Sequence, residues 1–402
     1  MPSPSTDINQ DGPPNPGSLW NGSLLFIYLA TFLSYANFSV FFRFYEHLQS
    51  LPISPRWYGL IIGLYSATSL IVRPLVSPLI HPGNQRRLLY AGTAAVMASL
   101  AAYSLADGLG TMLAVRIFHG LAFVIQGAAL MALTVTRIPP EKSGQAFGLL
   151  SIIILIPNTV IPPALPFLEK SLGGFNHVLL GFSALTVLIY PLLMGRSNPD
   201  DLRKEAGESR RLTAREIWDD LRDTRIVAVL AAMLCLYFGH AAVFFFLDEF
   251  GRTINIAEAG FFLTLSTAGE IGVRLAAGSF FDKMNKSKLA AWALAGLALG
   301  YLALSQAGGR WSFFGLGLVL GLGWGVAMPV FNGLMYDLSA TRYKAFNINL
   351  GLQMFQGGFF LGPILGGLMA AHLGLLALFG LCGLISLLAA GLTFTLKTKA
   401  PD

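Results

Sequence analysis

A glutamate and an arginine four residues apart, Glu270 and Arg274, stand inside the apolar run 257–281. At about 1.5 Å per helical residue, Glu270 lies roughly 18 Å from the start of that run. That is close to the middle of a bilayer, where a charge is expensive unless paired or hydrated. Glutamate ahead of a cation at i,i+4 is the favourable order for an ion pair. Two readings follow: a structural pair that neutralises itself, or a carboxyl that gains and loses a proton in a working cycle, tuned by burial and by Arg274. Arg116 and His119 share a face of the run 109–136, with Arg116 roughly 10 Å from its start. A packing role for Arg116, bonded to carbonyls of a neighbouring helix, is one reading. His119 reads equally as a hydrogen-bonded neutral histidine. Tyr237, His240, Phe244 and Asp248 fall on one face of the run 225–249. His240, near its middle, is a candidate for binding a solute, relaying a proton or bonding a neighbouring helix.

Further polar residues flank these. Arg43 and Glu46 are i,i+3 neighbours at the end of the first apolar run, and Asp248 sits at the matching end of the seventh. All three read either as interfacial charges or as an outer gate. Asn37, Asn158, Asn332, Gln353 and Gln356 are amides inside apolar runs. Such amides hydrogen-bond a solute in a cavity or glue helices together. The segments FSVFFRFY and VFFFL read as packing or lipid contacts.

These residues need long helices to position them. Of the 402 residues, 54% are hydrophobic and 12% are charged, against roughly 25% charged in a soluble domain. A soluble enzyme is thereby nearly excluded. Residues 196–225 hold eight basic and eight acidic side chains, a third of all the charges. Elsewhere the spans 20–45, 57–80, 88–106, 109–136, 144–168, 175–194, 225–249, 257–281, 288–307, 311–336, 344–371 and 373–396 are each long enough for about 30 Å of hydrocarbon. The expectation is an all-α polytopic membrane protein with twelve transmembrane helices. Spans 3, 6, 9 and 12 are almost purely apolar and are expected to face lipid. The polar spans are expected to surround a central pathway.

Lysine and arginine set the orientation. With the N-terminus inside, the inner loops and tail carry Arg86, Arg87, Arg137, Lys142, Lys283, Lys286, Lys288, Arg342, Lys344, Lys397 and Lys399, besides the central block. The outer loops carry Arg56, Lys170, Arg252 and Arg310. Both termini are therefore cytoplasmic, and the localisation is a plasma (inner) membrane.

The chain also repeats. RPLVSPLIHPGNQRRL from Arg73 and RLAAGSFFDKMNKSKL from Arg274 start 201 residues apart, and the same shift carries Gly120 to Gly321 and Pro162 to Pro363. A shift of 202 carries Glu46 to Asp248. The recurring offset divides the chain into two six-helix halves. The expected organisation is a disordered tail over 1–18, bundles over 19–195 and 225–397, a charged linker over 196–224 and a tail over 398–402. Within the linker, LTAREIWDDLRD reads as a short helix at the membrane surface.

On these motifs the chain resembles the major facilitator superfamily, in its proton-coupled efflux branch of drug:proton antiporters and arabinose-efflux-like permeases. The resemblance covers about residues 20–396. Its loop motif between the second and third helices of each half is matched at Arg274, Gly278, Asp282, Lys283, Lys286 and Lys288, with Asn285 in place of a glycine. In the first half Arg73, Arg86 and Arg87 remain, while Ser77, His81 and Asn84 replace the motif residues. The resemblance implies a cytoplasmic latch at Arg73, Arg274, Gly278, Asp282 and Lys283, with His81 standing where the first copy has an acid. The segment RIFHG keeps Arg116 and Gly120 of a second motif, with His119 for a glutamine. The family assigns that arginine to proton coupling or substrate contact. The antiporter motif of the fifth helix retains only Pro162, and a GPILGG sequence lies in the eleventh span instead.

There is no phosphate loop ending in Gly-Lys-(Ser/Thr), no metal-ligand spacing and no nucleophile–base pairing in the sequence. No cofactor and no enzymatic activity are expected. Neither Cys235 nor Cys382 reads as part of a disulfide framework. The net charge of +6 reflects bilayer topology, not nucleic-acid binding. The expected partners are a small-molecule substrate, protons and the lipid bilayer, with the chain acting as a monomer. The leading expectation is a secondary transporter exporting a small organic solute by alternating access. Glu270, Arg116, His119, His240 and Tyr237 would carry substrate or proton coupling. Uptake of an organic anion or metabolite is the alternative on the same fold, and a lipid flippase or nontransporting sensor is the third.

Overall fold

The protein is described by a computed structural model that covers residues 22–80, 83–135, 137, 143–193, 214–281, 284–340 and 343–396. The first-half helices are α1 (Gly22–Ser39), α2 (Phe44–Gln49), α3 (Tyr58–Val76), α4 (Gln85–Ala102), α5 (Leu109–Val135), α6 (Ser143–Leu172), α7 (Phe175–Thr186) and α8 (Ile189–Leu193). A short helix, α9 (Ala214–Asp220), lies in the expected linker. The second half comprises α10 (Thr224–Thr253), α11 (Gly260–Phe281), α12 (Lys286–Leu304), α13 (Arg310–Leu338), α14 (Lys344–His372) and α15 (Leu375–Phe394). Among the described residues there is no strand.

Among the described residues, eleven spans are long and apolar enough to cross a membrane. The twelfth is α11, 22 residues that include Glu270 and Arg274. The fold is a twelve-span helical membrane protein, as the apolar runs predict. Two spans are interrupted. The first passes through a 3-10 turn at Val40–Arg43 between α1 and α2, and the sixth breaks between α7 and α8. The expected tails, most of the linker, and the latch residues His81, Asp282 and Lys283 lie outside the described residues.

Within the first half α3 and α4 pack on α5, and α1 packs on α6. The second half pairs α11 with α13, α12 with α13 and α15, and α10 with α14 and α15. The halves meet where α3 lies on α14, α6 on α11, and α2 on α10. Apolar side chains of α12 and α15 point outward. Trp292 is 70% exposed, Leu299 69% and Leu388 65%, a surface suited to lipid.

The 201-residue repeat reappears as geometry. A Cβ on Gly260 would stand 2.5 Å from the carbonyl carbon of Pro162, and one on Gly59 would collide with the carbonyl of Pro363. The two inter-half crossings therefore use equivalent residues of each half. Both place bare backbone against backbone, which only glycine allows there. Inside the halves, Gly120 abuts the carbonyl of Tyr65 and Gly321 abuts Ser266, again equivalent positions.

Candidate functional site

The middle of the second half gathers several of the candidate residues. Glu270 is 1% exposed, and its Oε2 accepts from Arg274 Nη2 at 3.3 Å. The same nitrogen is 3.6 Å from the sulfur of Met328. α13 presses on this site without side chains between, because a Cβ at Gly325 would stand 2.9 Å from the Cα of Glu270. On α10, Tyr237 lies within electrostatic range of both Glu270 and Arg274, and His240 within range of Arg274. The four groups thus form one neighbourhood drawn from α10 and α11.

Aromatic rings surround it. The His240 ring sits 4.5 Å from Trp324 and 5.7 Å from Phe359. Phe355 stacks on Phe359 at 4.4 Å, and Tyr237 meets Phe355 edge-on at 5.3 Å. Trp324 is held by its Nε1, which donates to the Tyr301 hydroxyl at 3.0 Å. From the first half, Phe38 reaches across to stack on Phe244 at 5.1 Å.

His240 Nδ1 and Arg274 Nε in this neighbourhood are buried without a protein hydrogen-bond partner, as are Asn332 Oδ1 on α13 and Gln353 Oε1 and Gln356 Oε1 on α14. Buried polar groups without partners are costly and uncommon. Unpartnered polar atoms beside a buried carboxyl are what a binding site for solute or water requires.

Arg116 and His119 lie elsewhere, between α3, α5 and the turn after α4. Arg116 is 2% exposed and donates from Nε to the Ile61 carbonyl at 2.9 Å, from Nη2 to the Ile62 carbonyl at 2.5 Å, and from Nη1 to the Tyr103 hydroxyl at 3.2 Å. Phe41, Phe44 and Tyr65 present ring faces about its guanidinium, at 4.8–5.1 Å. The Tyr103 hydroxyl also meets His119 Nδ1 at 3.2 Å. An arginine only donates, so the Tyr103 hydroxyl accepts from it while also hydrogen-bonding His119 Nδ1.

The amides of the first half join helices. Asn37 Nδ2 donates to Thr186 Oγ1 at 2.9 Å, tying α1 to α7. Asn158 Oδ1 accepts from Ser39 at 2.6 Å, tying α6 to α1. Arg73 is half-buried on α3, with Nε unpartnered. Gly278 falls in α11.

The outer ends of the halves are joined by an ion network. Arg43 Nη1 contacts Glu169 Oε2 at 2.8 Å, and Arg43 Nε contacts Asp248 Oδ2 at 3.3 Å. Arg43 also pairs with Glu46, and Arg252 crosses back to Glu46 while standing 3.6 Å from Asp248. Arg43, Glu46 and Asp248 are thus brought together. Glu169 and Arg252 are the members that the sequence reading missed. Glu169 ends an apolar run and Arg252 follows one, so each looks like an ordinary interfacial charge. Tyr103 and Trp324 were missed as well, since each partners a residue on another helix.

The sequence model of the Major Facilitator Superfamily matches residues 24–351 and 248–402. The multidrug resistance protein MdtG of Enterobacter lignolyticus is 23% identical over 387 residues, covering 92% of this chain and 91% of that protein. The MdtG of Klebsiella pneumoniae is also 23% identical, over 376 residues and 90% of each chain. A crystal structure of the nucleoside transporter NupG has a TM-score of 0.75 at 13% identity, covering 93% of this chain and 99% of its own, a shared fold. Two repeated six-helix halves, the crossings of α3 with α14 and α6 with α11, and a match spanning nearly the whole sequence lead to one conclusion: the chain belongs to the Major Facilitator Superfamily and is a multi-pass membrane transporter.

Proposed function

We propose that this protein exports a small organic solute in exchange for protons, with Glu270 as the carboxyl whose protonation alternates with transport. The single observation that carries the reading is the burial of Glu270 beside Arg274, in a neighbourhood where His240 Nδ1 and Arg274 Nε are buried without protein partners. A solute entering between the halves meets those atoms and the rings of Trp324, Phe355 and Phe359. A carboxylate released from solute or proton leaves a buried charge facing Arg274 alone, which biases the two halves towards a different arrangement. The names of the MdtG relatives support export.

The test uses purified protein in proteoliposomes, with a solute first found by its effect on thermal stability. An imposed proton gradient should drive that solute against its own gradient in the direction opposite to proton flow. Glu270→Gln should retain its thermal melt and lose gradient-driven transport. Full transport by Glu270→Gln removes the carboxyl from the mechanism, and accumulation in the direction of proton flow turns export into uptake.

A further inference from the structure

The network at the outer ends contains three carboxylates, Glu46, Glu169 and Asp248, against two guanidinium groups, Arg43 and Arg252. Arg43 and Asp248 are buried, and Glu46 and Glu169 are largely so. The carboxylates are not equally served. Glu46 and Asp248 each face both arginines, whereas Glu169 meets only Arg43, and its second oxygen, Oε1, is buried without a partner. Burial penalises the charged form of a carboxyl that lacks compensation. One excess negative charge is therefore built into the closed arrangement, and Glu169 Oε1 is the carboxylate oxygen of the network left buried without a partner.

Other titratable groups around the network do not supply the missing cation. Glu249 on α10 lies within range of Tyr45, adding negative charge, and Tyr45 packs edge-on against Tyr58 of α3. His47 on α2 stacks on Phe175 and lies within range of Asp107 and Glu46. Lys170, beside Glu169 on α6, is exposed.

We propose that this outer network is a proton site in its own right, binding one proton at Glu169 when the two halves close and releasing it to the outer water when they part. The proposal rests on the alternating-access reading above and assigns to it a second protonation site, apart from Glu270. On closure, a proton from the outer solution adds to Glu169 Oε1. The network then holds two carboxylates against two guanidinium groups. On opening, Asp248 and Arg252 leave as a neutral pair with α10, water reaches Glu169, and the proton returns to the side it came from. It is not carried across. Acid outside therefore favours the closed outer end.

The test measures the distance between spin labels at Ser50→Cys and Ser312→Cys, exposed outer positions in opposite halves, with Cys235 and Cys382 replaced by serine. The labelled full chain, in nanodiscs without solute, is titrated between about pH 5 and about pH 9. The closed population should rise as pH falls, with the ratio of closed to open changing by up to about tenfold per pH unit, as for one proton. Glu169→Gln should stay closed throughout and lose the step. Glu169→Asp should keep it, which covers the case in which the glutamine variant does not fold. Glu270→Gln and His47→Asn should keep it too. A step that persists in Glu169→Gln, a step lost in Glu270→Gln or His47→Asn, or no step in the parent protein each overturns the proposal. Solute flux is measured separately, so absence of transport would end the export reading while leaving the distance titration to decide the gate.

Discussion

Arg116 donates from Nε to the carbonyl oxygen of Ile61 at 2.9 Å, so a fully buried cation is held by the backbone of a neighbouring helix and by no carboxylate among its hydrogen-bond partners. Hydrogen bonds to a charged donor contribute roughly 1.5–3 kcal/mol each, and loss of the donor strands the acceptors. Arg116→Ala should therefore destabilise the protein by about 3 kcal/mol or more. Arg116→Lys should recover only part of this, because one ammonium cannot reproduce the planar fork that reaches Ile61, Ile62 and Tyr103 together. Thermal melts of the three purified proteins decide it. An unchanged melting temperature in Arg116→Ala would remove Arg116 from the packing of α3 on α5.

The glycine seam of the second half makes a sharper contrast. Gly321→Ala would drive a Cβ into the backbone of Ser266, while a Cβ on Gly296 meets nothing within 4 Å. Gly321→Ala should lower both folded yield and melting temperature. Gly296→Ala should be neutral or stabilising by up to about 1 kcal/mol, since alanine is the better helix former. Equal behaviour of the two variants would contradict the close approach of α13 to α11.

Arg43 and Arg252 should differ at the outer ends. Arg43 has 9% of its side chain exposed and three acidic partners, whereas Arg252 has 43% exposed. Exposed pairs contribute about 1 kcal/mol or less. Arg43→Ala should open the outer ends strongly, and Arg252→Ala should shift them slightly. Distances between labels at Ser50→Cys and Ser312→Cys would read both.

Asp223 starts α10 as its N-cap. Its carboxylate accepts from the Arg225 backbone N–H at 2.9 Å and from the Arg225 guanidinium at 2.7 Å. These hydrogen bonds, the side-chain ones foremost, hold the Asp223 carboxyl below its ordinary value. A carboxyl lowered by folding stabilises the protein fully above its unfolded value, and the stabilisation is lost as pH falls through the folded one. Asp223→Ala should cost about 1 kcal/mol at neutral pH. Paired melts on acidification should then converge, and a constant difference at every pH would assign the effect to something other than the cap's charge.

Much of the architecture was legible because a bilayer simplifies the rules. Apolar length alone located the spans, and α5, expected over 109–136, runs from Leu109 to Val135. The repeat was legible too, since Gly120 and Gly321 occupy equivalent seams. The interruption after Thr186 was not read, although Pro191, one turn on, lacks the N–H that would bond the Val187 carbonyl. The site divided along similar lines. Glu270 and Arg274 are neighbours on one helix, so their pairing could be read from spacing. The surroundings of Arg116 come from α2, α3 and the turn after α4, and Glu169 reaches Arg43 across 126 residues. No local pattern records such meetings.

The two halves inherited one seam and hold it by opposite means. Gly317 lies on the carbonyl of Phe262, one repeat beyond Arg116 and Ile61. Gly317, Gly321 and Gly325 then bring the backbone of α13 against α11 with no side chains of their own. Beside the Arg274 contact with Met328, this seam is held by van der Waals contact. The first-half seam is riveted by a guanidinium. Internal sliding is therefore easier in the second half, where a small slip of α13 would carry Trp324 past His240 and change the shape of the wall that a solute meets.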